Sequence, residues 1–295
     1  MKFLNKYKIT FNYRSQRFFK GMLFVALVAS SLALVLATNQ ANAVGLLFKR
    51  VVFEGGKRAE VLTVLNGSQE VKTYRLGWTH FKMTEDKALT PVPAAELPPG
   101  VAASKDLIRF SPRRFTLGPG DTQQVRMVLR TPAGLSEGEY RSHLSIRPEG
   151  KVARRKARTA QSKKSGVEME MLTGMSIPVI VRQGNLSVDV AVDSLIARST
   201  GSGMNVDFML KRTGGRSVYG DVDFICNEGL RSEYLLKFIR GYAIYSEVSQ
   251  RKESHVIRKK PGAPSCTTLT IRYTEMTGRG EDVGDVLAKA TATVQ

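Results

Sequence analysis

The chain has 295 residues, 45 basic against 26 acidic, a formal net charge of +19, and two cysteines. Those two, Cys226 and Cys266, stand about forty positions apart, which excludes a C-x-x-C redox or metal motif. The positive charge would suit nucleic acid or an anionic membrane, but no base-stacking aromatic cluster accompanies the basic residues. It reads as a basic surface suited to acidic protein partners.

Residues 1–43 read as a secretory signal peptide. Lys2, Lys6, Lys8, Arg14, Arg17 and Lys20 form an acid-free basic start, residues 22–37 are apolar or small, and Ala41-Asn42-Ala43 fits a small-x-small cleavage site. The expected product is residues 44–295, exported to the periplasm, with no stable membrane insertion once the signal is cut. Removing those six basic residues from +19 leaves +13. In an oxidising compartment Cys226 and Cys266 become candidates for a structural disulfide.

From there on, apolar runs with strand character recur between turn signals. The first half offers 46–53, 59–65, 72–81, 108–115, 123–129, 140–146 and 167–181, broken at 54–56, 66–68, 91–100, 118–120 and 132–138. Seven such strands predict an immunoglobulin-like sandwich over 44–183. Gln183-Gly184-Asn185 marks a short junction. The second domain, 184–295, repeats the style through 186–197, 204–211, 220–226, 234–245, 267–274 and 286–294, with loops at 227–231 and 259–265. The fold class is all-β, with two sandwiches.

One stretch exceeds the needs of a core. From Val167 to Val181 every odd position is apolar except Thr173, a period-two pattern over fifteen residues where about five or six is usual. It follows a basic, Ala/Ser-rich run at 151–165, which reads as a solvated loop able to steer acidic partners. The half that serves this chain's own core is 173–181. Val167, Met169 and Met171, beside Glu168 and Glu170, read as a strand to be lent, and methionine adapts to grooves of differing shape.

Catalytic chemistry finds no footing. His80, His143 and His255 lie far apart and outside any H-E-x-x-H or G-x-S-x-G context. Ser142 and His143 are neighbours in a strand and so point to opposite faces. The pairs Gly55-Gly56 and Gly214-Gly215 suit hairpin turns. No enzyme activity, cofactor or metal is expected.

Three segments resemble a family. Residues 50–55, Arg-Val-Val-Phe-Glu-Gly, resemble the opening strand of the PapD-like periplasmic pilus chaperones. Residues 110–120, with Val125-Arg126, are similar to that family's S/T-P-x-x-x-x-L-x-P-G-x-x-x-x-V-R block, and residues 138–144 resemble its archaic, Csu-like branch. The resemblance covers 46–182 well and 186–295 loosely. It implies two angled immunoglobulin-like domains and capture of pilus subunits by donor-strand complementation, for delivery to an outer-membrane usher.

It also implies site residues. Val167, Met169 and Met171 would be the donor side chains. Arg50 matches the arginine that holds the subunit's C-terminal carboxylate, a role its planar fork suits. The family's second anchor, a lysine, falls at Pro178, and Arg141 on the neighbouring strand is the expected substitute. Self-association through the donor strand stays open. The main alternative is a structural or adhesive immunoglobulin-like component of a surface filament. A basic envelope protein that binds anionic polymer is a third reading.

Overall fold

The computed structural model describes residues 44–46, 49–85, 89–97, 104–149, 174–259 and 261–295. The expected signal peptide, the basic run 151–165 and the donor residues Val167, Met169 and Met171 lie outside the described residues.

The all-β expectation is what the structure shows. In the first half, β1 (Val44–Leu46), β3 (Ala59–Asn66), β9 (Thr122–Leu129) and β7 (Ile108–Ser111) form one sheet in the order β1-β3-β9-β7. The second sheet runs β2-β11-β10-β4-β8, from β2 (Val51–Phe53), β4 (Lys72–Thr79), β8 (Arg114–Leu117), β10 (Gly138–Glu149) and β11 (Met175–Gln183). Alternate residues of both sheets, among them Phe53, Leu62, Val64, Met127, Leu144 and Val179, are fully buried between them in one apolar core. A hairpin of β5 (Phe81–Met83) and β6 (Leu89–Pro91) branches from this sandwich.

The second half repeats the plan. β12 (Val188–Thr200), β13 (Gly203–Gly214) and β16 (Gln250–Arg258) form a sheet in that order. β14 (Val218–Cys226), β15 (Tyr234–Ile244), β17 (Thr268–Thr277) and β18 (Asp282–Thr293) pair as β15-β14-β17-β18. Their core holds Val206, Phe208, Phe224, Ile244, Ile271 and Tyr273, and it also takes in Val52, Met83 and Ile180 from the first half. Cys226 and Cys266 are disulfide-bonded within this sandwich, with Cα atoms 5.3 Å apart. The turn between the halves passes through Gly184, at φ 85°, a conformation that costs glycine no steric penalty.

Three expected strands divide. The run 46–53 is two strands in different sheets, β1 beside β3 and β2 beside β11. The run 108–115 breaks at Pro112, which has no N–H to continue a ladder, and β7 and β8 again join opposite sheets. The run 72–81 ends at Thr79, and Phe81 opens the hairpin. Alternation records which face a side chain takes and is silent on which sheet it joins. β16 was not expected at all. Its sequence, QRKESHVIR, is mostly polar and fully buries only Ile257, because it is an edge strand held by its ladder to β13.

Candidate functional site

β10 and β11 pair antiparallel from Gly138↔Gln183 to Ile146↔Met175. On its other side β11 has only β2, parallel and limited to Val51–Phe53 against Val179–Val181. The Met175–Pro178 half of β11 therefore has no second partner strand among the described residues. Its N–H and C=O groups on that side have no ladder partner among the described residues and could pair with an added strand. Pro178, which has no N–H to donate to a ladder, lies in this half.

Period-two alternation sorts the residues around this edge. Ile177, Val179 and Val181 enter the sandwich core, and Ile180 points the other way, into the core of the second sandwich. On β10, Leu144 and Ile146 face inward, so Glu139, Arg141, His143 and Ser145 face outward. All four are nonetheless buried, because the second sandwich and Phe81 cover this face.

The covered face is a charged seam. Glu139 Oε2 accepts from Arg182 Nε at 3.0 Å and from the Ser217 N–H at 3.0 Å. Arg182 also donates to Glu54 at 2.8 Å and to the Ser217 carbonyl at 3.0 Å. Burial works against the Arg182 charge, but Glu139 and Glu54 outweigh it and hold its pKa above the ordinary value. Met83 N–H donates to Glu247 at 2.9 Å, and Arg279 to Glu60 at 2.9 Å, extending the seam at both ends.

Arg141, the expected substitute for the second carboxylate anchor, is part of this seam. Its guanidinium donates to both carboxylate oxygens of Glu247, at 2.5 and 3.1 Å, and to the Phe81 carbonyl at 3.1 Å. It also stacks 3.6 Å over the Tyr245 ring. Both side chains of the pair are 3% exposed, so this chain's own carboxylate already fills the fork. Arg141 does face away from Tyr140 and Leu144, as the strand pattern requires. His143 sits beside it, edge-on to Phe81 with ring centroids 4.8 Å apart. Burial, then Arg141 and His80, push its pKa down to about 3, so the ring is neutral near pH 7.

Arg50 differs. It precedes the Val51↔Val179 pair by one residue, at the point where β2 ends and the β11 edge becomes open. It is 2% exposed, and one nitrogen, Nη2, donates to the Met276 carbonyl at 2.5 Å. The group lies 4.7 Å over the Tyr219 ring. Nε and Nη1 have no hydrogen-bond partner among the described residues. Burial, then Arg182, lowers its pKa from the ordinary arginine value. A buried guanidinium with two unused donors is costly unless an acceptor arrives, and a carboxylate presents two acceptors with matching geometry.

Sequence reasoning singled out Arg50 and did not signal Glu139, Arg182, Ser217 or Glu247. Glu139 and Arg182 stand at the ends of expected strands, but nothing local signals that they lie opposite one another. Glu247 follows β15 in a short turn that carried no motif.

No family model matches the chain, and no curated protein sequence matches it. Among solved structures it is similar to the Escherichia coli chaperone DraB, at 11% identity and a TM-score of 0.41, covering 86% of this chain and 97% of that one. The Pseudomonas aeruginosa CupB2 chaperone gives 11% and 0.41, covering 85% and 100%. The CsuC–CsuE chaperone–tip subunit complex from the archaic Csu pili of Acinetobacter baumannii gives 11% and 0.38, covering 72% and 89%. These are distant similarities of shape, and no residue role is transferred from them.

Proposed function

We propose that this protein is a periplasmic chaperone of pilus or fimbrial subunits. It lends the strand over residues 166–182 to an incomplete subunit sandwich and passes the subunit to an outer-membrane usher. It acts stoichiometrically, without catalysis or cofactor. The observation that carries this reading is the half-open edge of β11, toward which the alternating residues Val167, Met169 and Met171 run in sequence. An added strand would gain affinity from backbone hydrogen bonds and specificity from alternate side chains.

Arg50 supports the same reading. It adjoins the half of the β11 edge that lacks a second strand and has two unused donors, which a terminal carboxylate could satisfy. Arg141 would serve as a second anchor only after Glu247 leaves it.

The test is co-expression with a fimbrial subunit that lacks its last strand, followed by one-to-one co-purification. Met169→Asp with Met171→Asp should abolish capture while the chaperone stays folded. Arg50→Ala should weaken capture by about tenfold or more, the loss of a charge-assisted bidentate contact. Full protection of the subunit by the Met169/Met171 double variant would remove the donor-strand assignment.

A further inference from the structure

The outward face of the β1-β3-β9-β7 sheet takes no part in the seam or the β11 edge. Its exposed positions follow from the burial alternation of its strands. They are Arg109 and Ser111 on β7, Gln124 and Arg126 on β9, and Ala59 and Val61 on β3. Arg130, just past β9, is exposed as well and stays tied to the sheet by its N–H bond to the Leu107 carbonyl. The register sets Arg126 opposite Val61 and Ser111, and Arg109 opposite Val128. Arg126 and Arg130 are therefore about 13 Å apart along one strand, with Arg109 beside the residue midway between them. No outward position of β3, β7 or β9 is acidic.

The other three large sheets of the same molecule supply the comparison. The outward side of β15-β14-β17-β18 joins Arg240 to Asp221 and Asp223, Arg272 to Asp223 and Glu228, and Lys289 to Glu228. The β12-β13 ribbon joins Arg198 to Asp207 and Lys211 to Asp193. At the far end of the five-stranded sheet, Arg75 and Arg114 share Glu149. Most arginines that this chain turns outward on its strands have an acid within ion-pair reach. Arg147 on β10 and Arg258 on β16 also lack one among the described residues, but only Arg109, Arg126 and Arg130 stand together on one face. Those three have no ion-pair partner among the described residues. Val61, 38% exposed, adds an apolar spot between them.

We infer that this face docks an acidic protein surface, at a site separate from the donor strand. Arginine rather than lysine suits such a partner. Its planar fork matches carboxylates two donors at a time, it is weakly hydrated, and it is enriched in protein interfaces where lysine is depleted. A face with a like-charged row and no internal partner gains from opposite charge and gives up no internal ion pair in doing so. A flat anionic lipid surface would be met by the same charges, and the experiment separates the two.

The purified full chain is titrated with poly-L-glutamate and, separately, with vesicles of equimolar phosphatidylglycerol and phosphatidylcholine. Three proteins are compared: wild type, Arg109→Gln/Arg126→Gln/Arg130→Gln, and an equal-charge control, Lys252→Gln/Arg258→Gln/Lys259→Gln. Wild type should bind poly-L-glutamate about tenfold more tightly than the arginine variant, from three exposed pairs of ordinary strength. The control should stay within about twofold of wild type. Equal losses in both variants would mean bulk charge alone, and would overturn the site. Loss of vesicle binding with unchanged poly-L-glutamate binding would overturn the acidic-protein assignment in favour of membrane. Unaltered thermal unfolding of the arginine variant guards against a folding defect.

Discussion

The two sheets of the N-terminal sandwich turn arginines outward by the same period-two rule, and the arginines that the second sandwich covers meet a different fate from those left in water. On β2-β11-β10-β4-β8, Arg141 and Arg182 are covered by the second sandwich, and each is held by carboxylates. On β1-β3-β9-β7, Arg109, Arg126 and Arg130 stay in water with no acid beside them. Arg50 falls between these cases, buried like the first group and only partly satisfied. An arginine's role here is decided by what lies over its sheet, because the same group costs several kcal/mol when buried alone and almost nothing when solvated.

The largest test of this contrast removes one partner in the seam. Glu247→Ala should cost about 3–5 kcal/mol in urea unfolding, since it strands a buried Arg141 charge. Arg141→Met combined with Glu247→Leu should recover most of that loss. If the single variant were as stable as wild type, the seam would be no different from the open face.

Next in size is a pH effect at His143. Its folded pKa of about 3 lies below the unfolded value of 6.5. The unfolded chain therefore binds the extra proton between those limits, and stability falls as pH drops through that window. The slope from this one group is about 1 kcal/mol per pH unit. His143→Gln should flatten the stability curve between pH 6 and pH 4 by that amount, and an unchanged slope would mean that the ring protonates freely in the fold.

Arg50→Met sharpens the middle case. It gives up one carbonyl bond and relieves two unsatisfied donors, so folding stability should change by no more than about 1 kcal/mol. A loss as large as that of Glu247→Ala would make Arg50 a structural residue. The smallest effect belongs to the open face, where Arg109→Gln, Arg126→Gln and Arg130→Gln should each shift stability by less than about 0.5 kcal/mol.

Much of the framework was legible beforehand. Alternation located most of the strands, placed Ile177, Val179 and Val181 in the core, and put Arg141 on the face away from Leu144. It failed where a strand changes sheet, between Leu46 and Val51 and again at Pro112, because alternation continues across the switch. It failed at β16 because an edge strand held mainly by backbone bonds has little apolar signal to show. Arg50 was singled out through a resemblance in residues 50–55. Its two unused donors could be seen only with Tyr219 and Met276 in place.

By itself, then, the sequence determined the all-β class, most strands and the direction of most side chains. Those are local consequences of a backbone whose successive side chains point to opposite faces. Only the tertiary structure decided which outward face would be covered. Arg141 meets Glu247 106 residues away, and Arg50 meets Met276 226 residues away. Such pairings are set by how two cores close against each other through Val52, Met83 and Ile180. No local pattern encodes that closure, since the same exposed-looking arginine can end in water or beneath another domain.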